Sequence, residues 1–591
     1  MELPIRNALI SRLPNALIGA VLAAFYLVWL ENETPIRGVG LIFVIVYVWV
    51  FFTLAAYLTW TRILASRLEQ FSPAWRNWWL AGSLVMGFWL ADNLPVVVPG
   101  AGVMKLVLFL SAALGVGLLL FALSLLLVTR CRPALIPVER RFRWLAFALP
   151  MIVVWTVVLL AFWPGLMSAD SLDQWGQVLS GQFTNHHPAF HTFTIWLLTR
   201  VALSPAVVAI AQILALALVT GALLAYIETL GVASRWLWLA SILFAISPVN
   251  ATMVNTLWKD IPYSVSILAL SYLLLRAAVT QGRWLETRTA WLVLGVTAVL
   301  AALFRHNGVP VAVASLLFIL VFSRRHWKPV VAAVAVLLVL FYVITGPVYR
   351  MVGVTTPPTA LGEAAASLYN SAATADPGSP EDEFLLRLDP LSDDWQCAHV
   401  YGSLQEARRA GAAADQPENV SQKAVNLLEH APSLLAYDYR CNRSLIWIVW
   451  DPNGELRNPS HAEYGIDANA YGLRSASLIP PLQQSLANFV RATAYDPSVN
   501  WLVWRPALYL YLFLLVIAVA ALRRKSPWLL LVAVPVLLQS ISMTLVTMPP
   551  NFRYHYPIYL AALAFWPLLF LPCAPNADAE PSQIPSETGN P

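Results

Sequence analysis

Five short polar clusters interrupt an otherwise apolar chain, and together they hold the side chains that a reaction would need. SADSLDQW (168–175) carries Asp170 and Asp173, TNHHPAFH (184–191) carries His186, His187 and His191, and WKDIP (258–262) carries Lys259 and Asp260. FRHNG (304–308) adds Arg305, His306 and Asn307, and NFRYHYP (551–557) adds Arg553, Tyr554 and His555. A carboxylate, several cations and groups that bind hydroxyls suit displacement at a carbon whose leaving group is a lipid-linked phosphate. The carboxylate would act as general base on an acceptor hydroxyl, a contribution of roughly 100- to 10,000-fold. A phosphate leaves without a proton, so it needs fixed positive charge where negative charge builds up, and arginine and lysine supply it.

Each cluster alone has a plainer account. Ser168 and Asp170 are both fair N-cap residues, and SADS reads as a helix start. Capping does not preclude catalysis, because a helix start also fixes a side chain at the membrane surface. HHPxxxH puts His187 and His191 four residues apart on one helical face, a spacing that suits a metal, with Asp170 or Asp173 as the carboxylate partner. Hydrogen bonding to a phosphate or sugar hydroxyl fits these histidines better. Lys259 and Asp260 read most simply as a mutual ion pair, although paired charges at membrane depth usually mark function. What sets the clusters apart from scattered loop charge is that they share one side of a membrane.

The elements that must position them are spanning helices. Of 591 residues, 59% are hydrophobic and only 12% charged, where a soluble domain carries roughly twice that charged fraction. Apolar runs predict spans near 13–30, 38–60, 78–98, 103–129, 143–163, 205–228, 236–254, 261–278, 289–304, 309–323, 329–347, 502–522, 526–547 and 556–573, about 14 in all. Arg62, Arg67 and Arg76, then Arg130, Arg132, Arg140, Arg141 and Arg143, then Arg324, Arg325 and Lys328, and finally Arg523, Arg524 and Lys525 fall in alternate loops. The positive-inside rule makes those loops cytoplasmic, with both termini inside, and puts all five polar clusters outside. The net charge of +5 is therefore loop charge rather than a nucleic-acid surface. The run at 13–30 ends in ENETP without a small-residue cleavage site and reads as an anchor in the cytoplasmic (inner) membrane.

The expected fold is an all-α polytopic membrane protein with a small mixed external domain. Residues 1–130 form a four-helix membrane region, 131–347 the catalytic membrane core with its first external loop at 164–204, 348–500 the external domain, and 501–573 the C-terminal spans. The tail, 574–591, is rich in Pro, Ser, Asn and Glu and reads as disordered in the cytoplasm. Within the first loop, 186–203 has helical spacing but too many His and Arg residues to span, which predicts a helix lying in the interface. The external domain shows loop signals at DPGSPEDE (376–383), a helix-like stretch at 418–430, and an apolar run at 445–450 too short to cross. Cys397 and Cys441 both fall in it, in an oxidising compartment. A disulfide between them would close a loop of about 44 residues, credited with roughly 4 kcal/mol by chain entropy.

The motif set resembles the glycosyltransferase C (GT-C) superfamily, and within it bacterial polytopic glycosyltransferases. The residues that carry the resemblance are WPGLMSADSLDQWGQ (163–177), HPAFHT (187–192), WKD (258–260), RHNG (305–308) and FRYHYP (552–557), over about 143–573. Any one of them is weak alone; as a set they are specific. The resemblance implies a GT-C-like core that transfers a sugar from a polyprenyl-phosphate donor to a glycan, lipid or protein acceptor at the outer face, with inversion. The superfamily's acidic-loop base falls on Asp170, with Asp173 as the second candidate because the acids here are spaced DxxD rather than adjacent. Arg305 and Arg553 match positions that meet donor phosphate. A divalent metal stays open, since some members use one and others do not. The rival classes are a transporter or flippase for lipid-linked sugars, and an O-antigen polymerase or ligase. Transporters place charge near the midplane within internal repeats, whereas these charges sit at span ends and no repeat is visible. A polymerase or ligase would centre on arginines of the large external loop.

Overall fold

The computed structural model describes residues 72–91, a discontinuous set within 113–128, 142–356, 444–449, 459–545 and 551–573. Helices dominate. The longer ones are α1 (Pro73–Ala91), α2 (Arg143–Ala161), α3 (Ala169–Ser180), α4 (Ala189–Leu198), α5 (Pro205–Thr229), α6 (Ser234–Ile246) and α7 (Asp260–Val279). There follow α8 (Ala290–Phe304), α9 (Gly308–Leu317), α10 (Trp327–Val343), α11 (Pro480–Ala494), α12 (Pro506–Arg523), α13 (Val534–Leu545) and α14 (Tyr556–Phe565). Among the described residues no strand forms beyond three isolated bridges. The mixed character expected of the external domain is therefore absent from 459–500, where α11 is the main element.

Among the described residues five helical stretches are long and apolar enough to cross a membrane: Arg143–Ala161, Pro205–Thr229, Asp260–Val279, Arg324–Val352 and Ser498–Arg523. The described residues are thus helical, with apolar helices of membrane-spanning length. The spans expected at 13–30 and 38–60 lie outside the described residues, as does most of 103–129. The span expected at 78–98 corresponds to α1, which is described only as far as Ala91, just before Asp92. The run at 236–254 is not one helix. α6 stops at Ser247–Pro248, where the Ser247 hydroxyl accepts from Asn250 N and starts a second short helix, Pro248–Met253. The runs at 289–304 and 309–323 form a hairpin of two shorter helices, α8 and α9.

α7 is the central helix. In Asp260–Val279, 78% of the apolar window is buried, against 17% for the peripheral Arg324–Val352. It packs against α5, α8, α13, α14 and the 3-10 segment Pro527–Ala533, as expected of a helix that is apolar all round. α2 lies along α5 at short range. A side chain at Gly221 would come within 2.3 Å of Trp144 O, so glycine is what lets the backbones approach. Arg143 closes one end of this pair on Glu228, Nε to Oε2 2.8 Å.

α3 and α4 follow α2, with 12 and 10 residues, too short to cross a bilayer that needs about 20. α11 is amphipathic, burying Ala487, Val490 and Ala494 toward α2 and the turn at His461–Glu463. The chain before it satisfies carbonyls at the end of α2: Ala476 N donates to Trp163 O (2.8 Å) and Leu478 N to Leu160 O (2.9 Å).

Candidate functional site

Three irregular stretches lie side by side where α2 ends and α7 begins. Leu166 N donates to Asn255 O (2.9 Å) and Leu257 N to Leu166 O (2.9 Å); on the other side Met167 N donates to Gly465 O (3.1 Å) and Asp467 N to Met167 O (3.0 Å). Single parallel bridges, Leu166 with Thr256 and Met167 with Ile466, satisfy backbone groups that helices cannot reach there. This lattice fixes the start of α3, the start of α7 and the 459–467 segment relative to one another. Ser168 is the N-cap of α3; its hydroxyl accepts from Trp258 Nε1 at 2.8 Å, and the Ser171 hydroxyl donates to Leu257 O at 2.7 Å. Asp170, in the first turn of α3, is thereby aimed at the residues that open α7. A carboxylate in a first turn also meets the favourable end of the helix dipole.

Asp170 Oδ2 lies 2.9 Å from Arg553 Nη1 and 3.6 Å from Lys259 Nζ, and its Oδ1 lies 4.0 Å from His187 Nε2. Lys259 Nζ also donates to His187 Nδ1 at 2.8 Å. With Lys259 as ammonium, which can only donate, the His187 proton falls on Nε2, facing Asp170. A second acid stands behind. Asp260 is ion-paired with Arg305, and its Oδ2 is 3.9 Å from Arg553 Nε. The expected pairing of Lys259 with Asp260 is not found. Sequence neighbours diverge at a helix start, so Lys259 reaches Asp170 while Asp260, first residue of α7, turns inward to Arg305.

Aromatic rings hold the cations in place. The Arg305 guanidinium lies 4.6 Å from the Tyr554 ring centroid and 5.6 Å from that of Tyr263; that of Arg553 lies 4.9 Å from Trp258 and 5.0 Å from Tyr554. Tyr554 is thus shared by both guanidiniums, and its hydroxyl accepts from Arg553 Nη2 at 3.0 Å. Asn307 accepts from Arg305 Nε at 3.1 Å and donates to Gln539 Oε1 and Ser542 Oγ, both at 3.0 Å. Gln539 also accepts from the Tyr263 hydroxyl and donates to Tyr554 O (3.0 Å). Gln539 escaped the sequence reading, although a lone amide inside the apolar run of α13 was a usable signal.

Burial by itself would raise the Asp170 carboxyl, yet Arg553 and Lys259, with His187, hold it well below the usual carboxylate range. Burial, aided by the positive charge of Lys259, pushes His187 down to about 3, so the ring is neutral at physiological pH. Burial also lowers Lys259, opposed by Asp260 and Asp170. Two arginines and Lys259 thus face two carboxylates.

Other candidate residues stand apart. Asp173 is exposed and accepts from Gln177 Nε2 at 2.8 Å, away from the cations. His191 is buried against Gln174 Oε1, with its Nδ1 at 2.9 Å. His186 and His306 are exposed at the rim, His306 Nε2 lying 3.4 Å from His186 O. His555 is buried, and its Nδ1 has no hydrogen-bond partner. Among the described residues no three His, Cys, Asp or Glu side chains converge as a metal-ligand set. Cys397 and Cys441 lie outside the described residues.

The reading from sequence also missed His461. Its ring lies 5.2 Å from Trp258, its Nδ1 is 3.9 Å from Asp467 Oδ1, and Asp170 and Arg553 both act on it electrostatically. Nothing local in HAEYGID (461–467) marks it; only the pairing of Ile466 with Met167 brings it to the site. Comparison of the chain with protein-family models, with curated proteins and with solved structures finds no match.

Proposed function

We propose that this chain is a membrane glycosyltransferase that moves a sugar from a polyprenyl-phosphate donor to an acceptor hydroxyl at the outer face of the cytoplasmic membrane. Asp170 is the general base, and Arg553, Lys259 and Arg305 hold the donor phosphate. The acceptor oxygen attacks the anomeric carbon from the face opposite the phosphate, with inversion. Asp170 takes the acceptor proton, and the lipid phosphate leaves with the electron pair of the broken C–O bond. Asp260 is a positioning residue that keeps Arg305 extended beneath the site. In this reading the polytopic core has GT-C-like architecture with about 14 spans, both termini are cytoplasmic, and 348–500 is an external domain.

The observation that carries the reading is a partly exposed carboxylate, Asp170, held between two cations on one oxygen, with a second buried acid–arginine pair behind it. An ion-pair network of that kind at membrane depth is costly unless it has work to do. Chemistry of this class needs a base and phosphate-holding cations within one ligand's length of each other. The test is Asp170→Asn in purified, reconstituted protein, following release of polyprenyl phosphate from a panel of polyprenyl-phosphate sugars. Turnover is expected to fall roughly 100- to 10,000-fold. Full turnover in a normally folded variant removes Asp170 from the role.

A further inference from the structure

Asp170 as it stands is poorly placed to act as a base. Both cations lie on the same oxygen, Oδ2, at 2.9 and 3.6 Å, and the other oxygen faces His187 Nε2. A general base must reach the hydroxyl it deprotonates and be basic enough to take its proton. Oδ1 makes no hydrogen bond at 4.0 Å from His187, but the two cations on Oδ2 stabilise the charged carboxylate and weaken it as a base. The cations differ in how firmly they are held. Arg305 is committed to Asp260, whose side chain is only 1% exposed, and to Asn307. Arg553 keeps unused capacity, since its Nε makes no hydrogen bond and lies 3.9 Å from Asp260 Oδ2, itself without a hydrogen-bond partner. Lys259 is the end of a flexible side chain, and its companion His187 is neutral and adds no charge.

We propose that Asp170 is the resident anion of the donor-phosphate site: its carboxylate holds Arg553 and Lys259 until a lipid-linked phosphate takes them, and only then is it free to act on the acceptor. This rests on the glycosyltransferase reading and adds an order of events to it. Phosphate and carboxylate compete for the same two cations, so the base is released by the donor it serves. In the transfer step that follows, the acceptor O–H proton goes to Asp170, the acceptor oxygen bonds to the anomeric carbon, and the anomeric C–O bond breaks toward phosphate. The new negative charge on the lipid phosphate falls on Arg553 and Lys259, with Arg305 behind. Loss of the proton from Asp170 and departure of the lipid phosphate restore the starting ion pairs.

Competition has a testable sign. Removing the carboxylate should improve phosphate binding while it abolishes turnover. Affinity for a short-chain prenyl phosphate carrying no sugar is measured by calorimetry on wild type, Asp170→Asn and Asp170→Ala, with inorganic phosphate as a parallel arm. Both variants are expected to bind prenyl phosphate at least about five-fold tighter than wild type, the lower end of typical site-to-site coupling. Inorganic phosphate should shift in the same direction at weaker absolute affinity. Unchanged or weaker prenyl-phosphate binding in both folded variants overturns the proposal, as does tightening confined to inorganic phosphate. The transfer assay separates the two ideas. An inactive Asp170→Asn with unaltered affinity sinks the competition alone, whereas an active one sinks the base assignment itself.

Discussion

The most consequential pairing in the site is the deepest one, Asp260 with Arg305. Their side chains are 1% and 6% exposed, so neither charge can be left alone cheaply. Asp260→Ala is expected to cost about 3–5 kcal/mol in thermal or denaturant unfolding, because it strands a buried guanidinium. Replacing both partners, Asp260→Leu with Arg305→Met, should recover much of that stability while turnover stays lost. A double variant as unstable as the sum of the singles would show that the pair is not coupled. At this scale the sequence was a good guide to which charged residues gather at one buried site, since such groups are rare in an apolar chain. It was a poor guide to who pairs with whom. Lys259 and Asp260 are adjacent in sequence, yet they serve different partners contributed by α3 and by the loop after α8. Asp173 stood in the sequence as a second candidate beside Asp170; three residues of helix rotation leave Asp170 among cations and Asp173 exposed.

At the level of elements, the hairpin of α8 and α9 depends on one glycine. A Cβ at Gly308 would lie 2.1 Å from Ala301 O, a backbone atom that cannot give way. The three residues Arg305, His306 and Asn307 can reverse the chain only because the next position has no side chain. Gly308→Ala should open the hairpin, with a loss of about 1–3 kcal/mol as for other overpacked sites. It should also lower turnover through displaced Arg305 and Asn307, without touching the substrate. Wild-type stability in that variant would mean the two helices need not approach so closely. Apolar runs made these helices legible, because length and hydropathy are local properties. Breaks inside runs were not legible, and the stop at Ser247–Pro248 is one: membrane helices tolerate proline, so its presence in the sequence does not tell a break from a continuous span.

Across the whole molecule, the proposed topology sets His186 and Arg325 on opposite sides of the membrane, both exposed. In intact cells or right-side-out vesicles, a membrane-impermeant maleimide should label His186→Cys above the parent chain's background, and Arg325→Cys only after permeabilisation. The reverse pattern would invert the protein and move the site to the cytoplasm. The site also draws on chain positions very far apart, and His461 was illegible for that reason: it reaches Trp258 through backbone pairing, not through any local pattern. That stitching matters for anyone who edits the gene. Leu166 is tied to the approach of α7, and its neighbour Met167 to Gly465 and Asp467. The 459–467 segment is consequently not a detachable appendage. A chimaera that replaces residues 459–500 must reproduce this three-way seam, or Asp170, only three residues beyond Met167, loses its aim however intact the bundle remains.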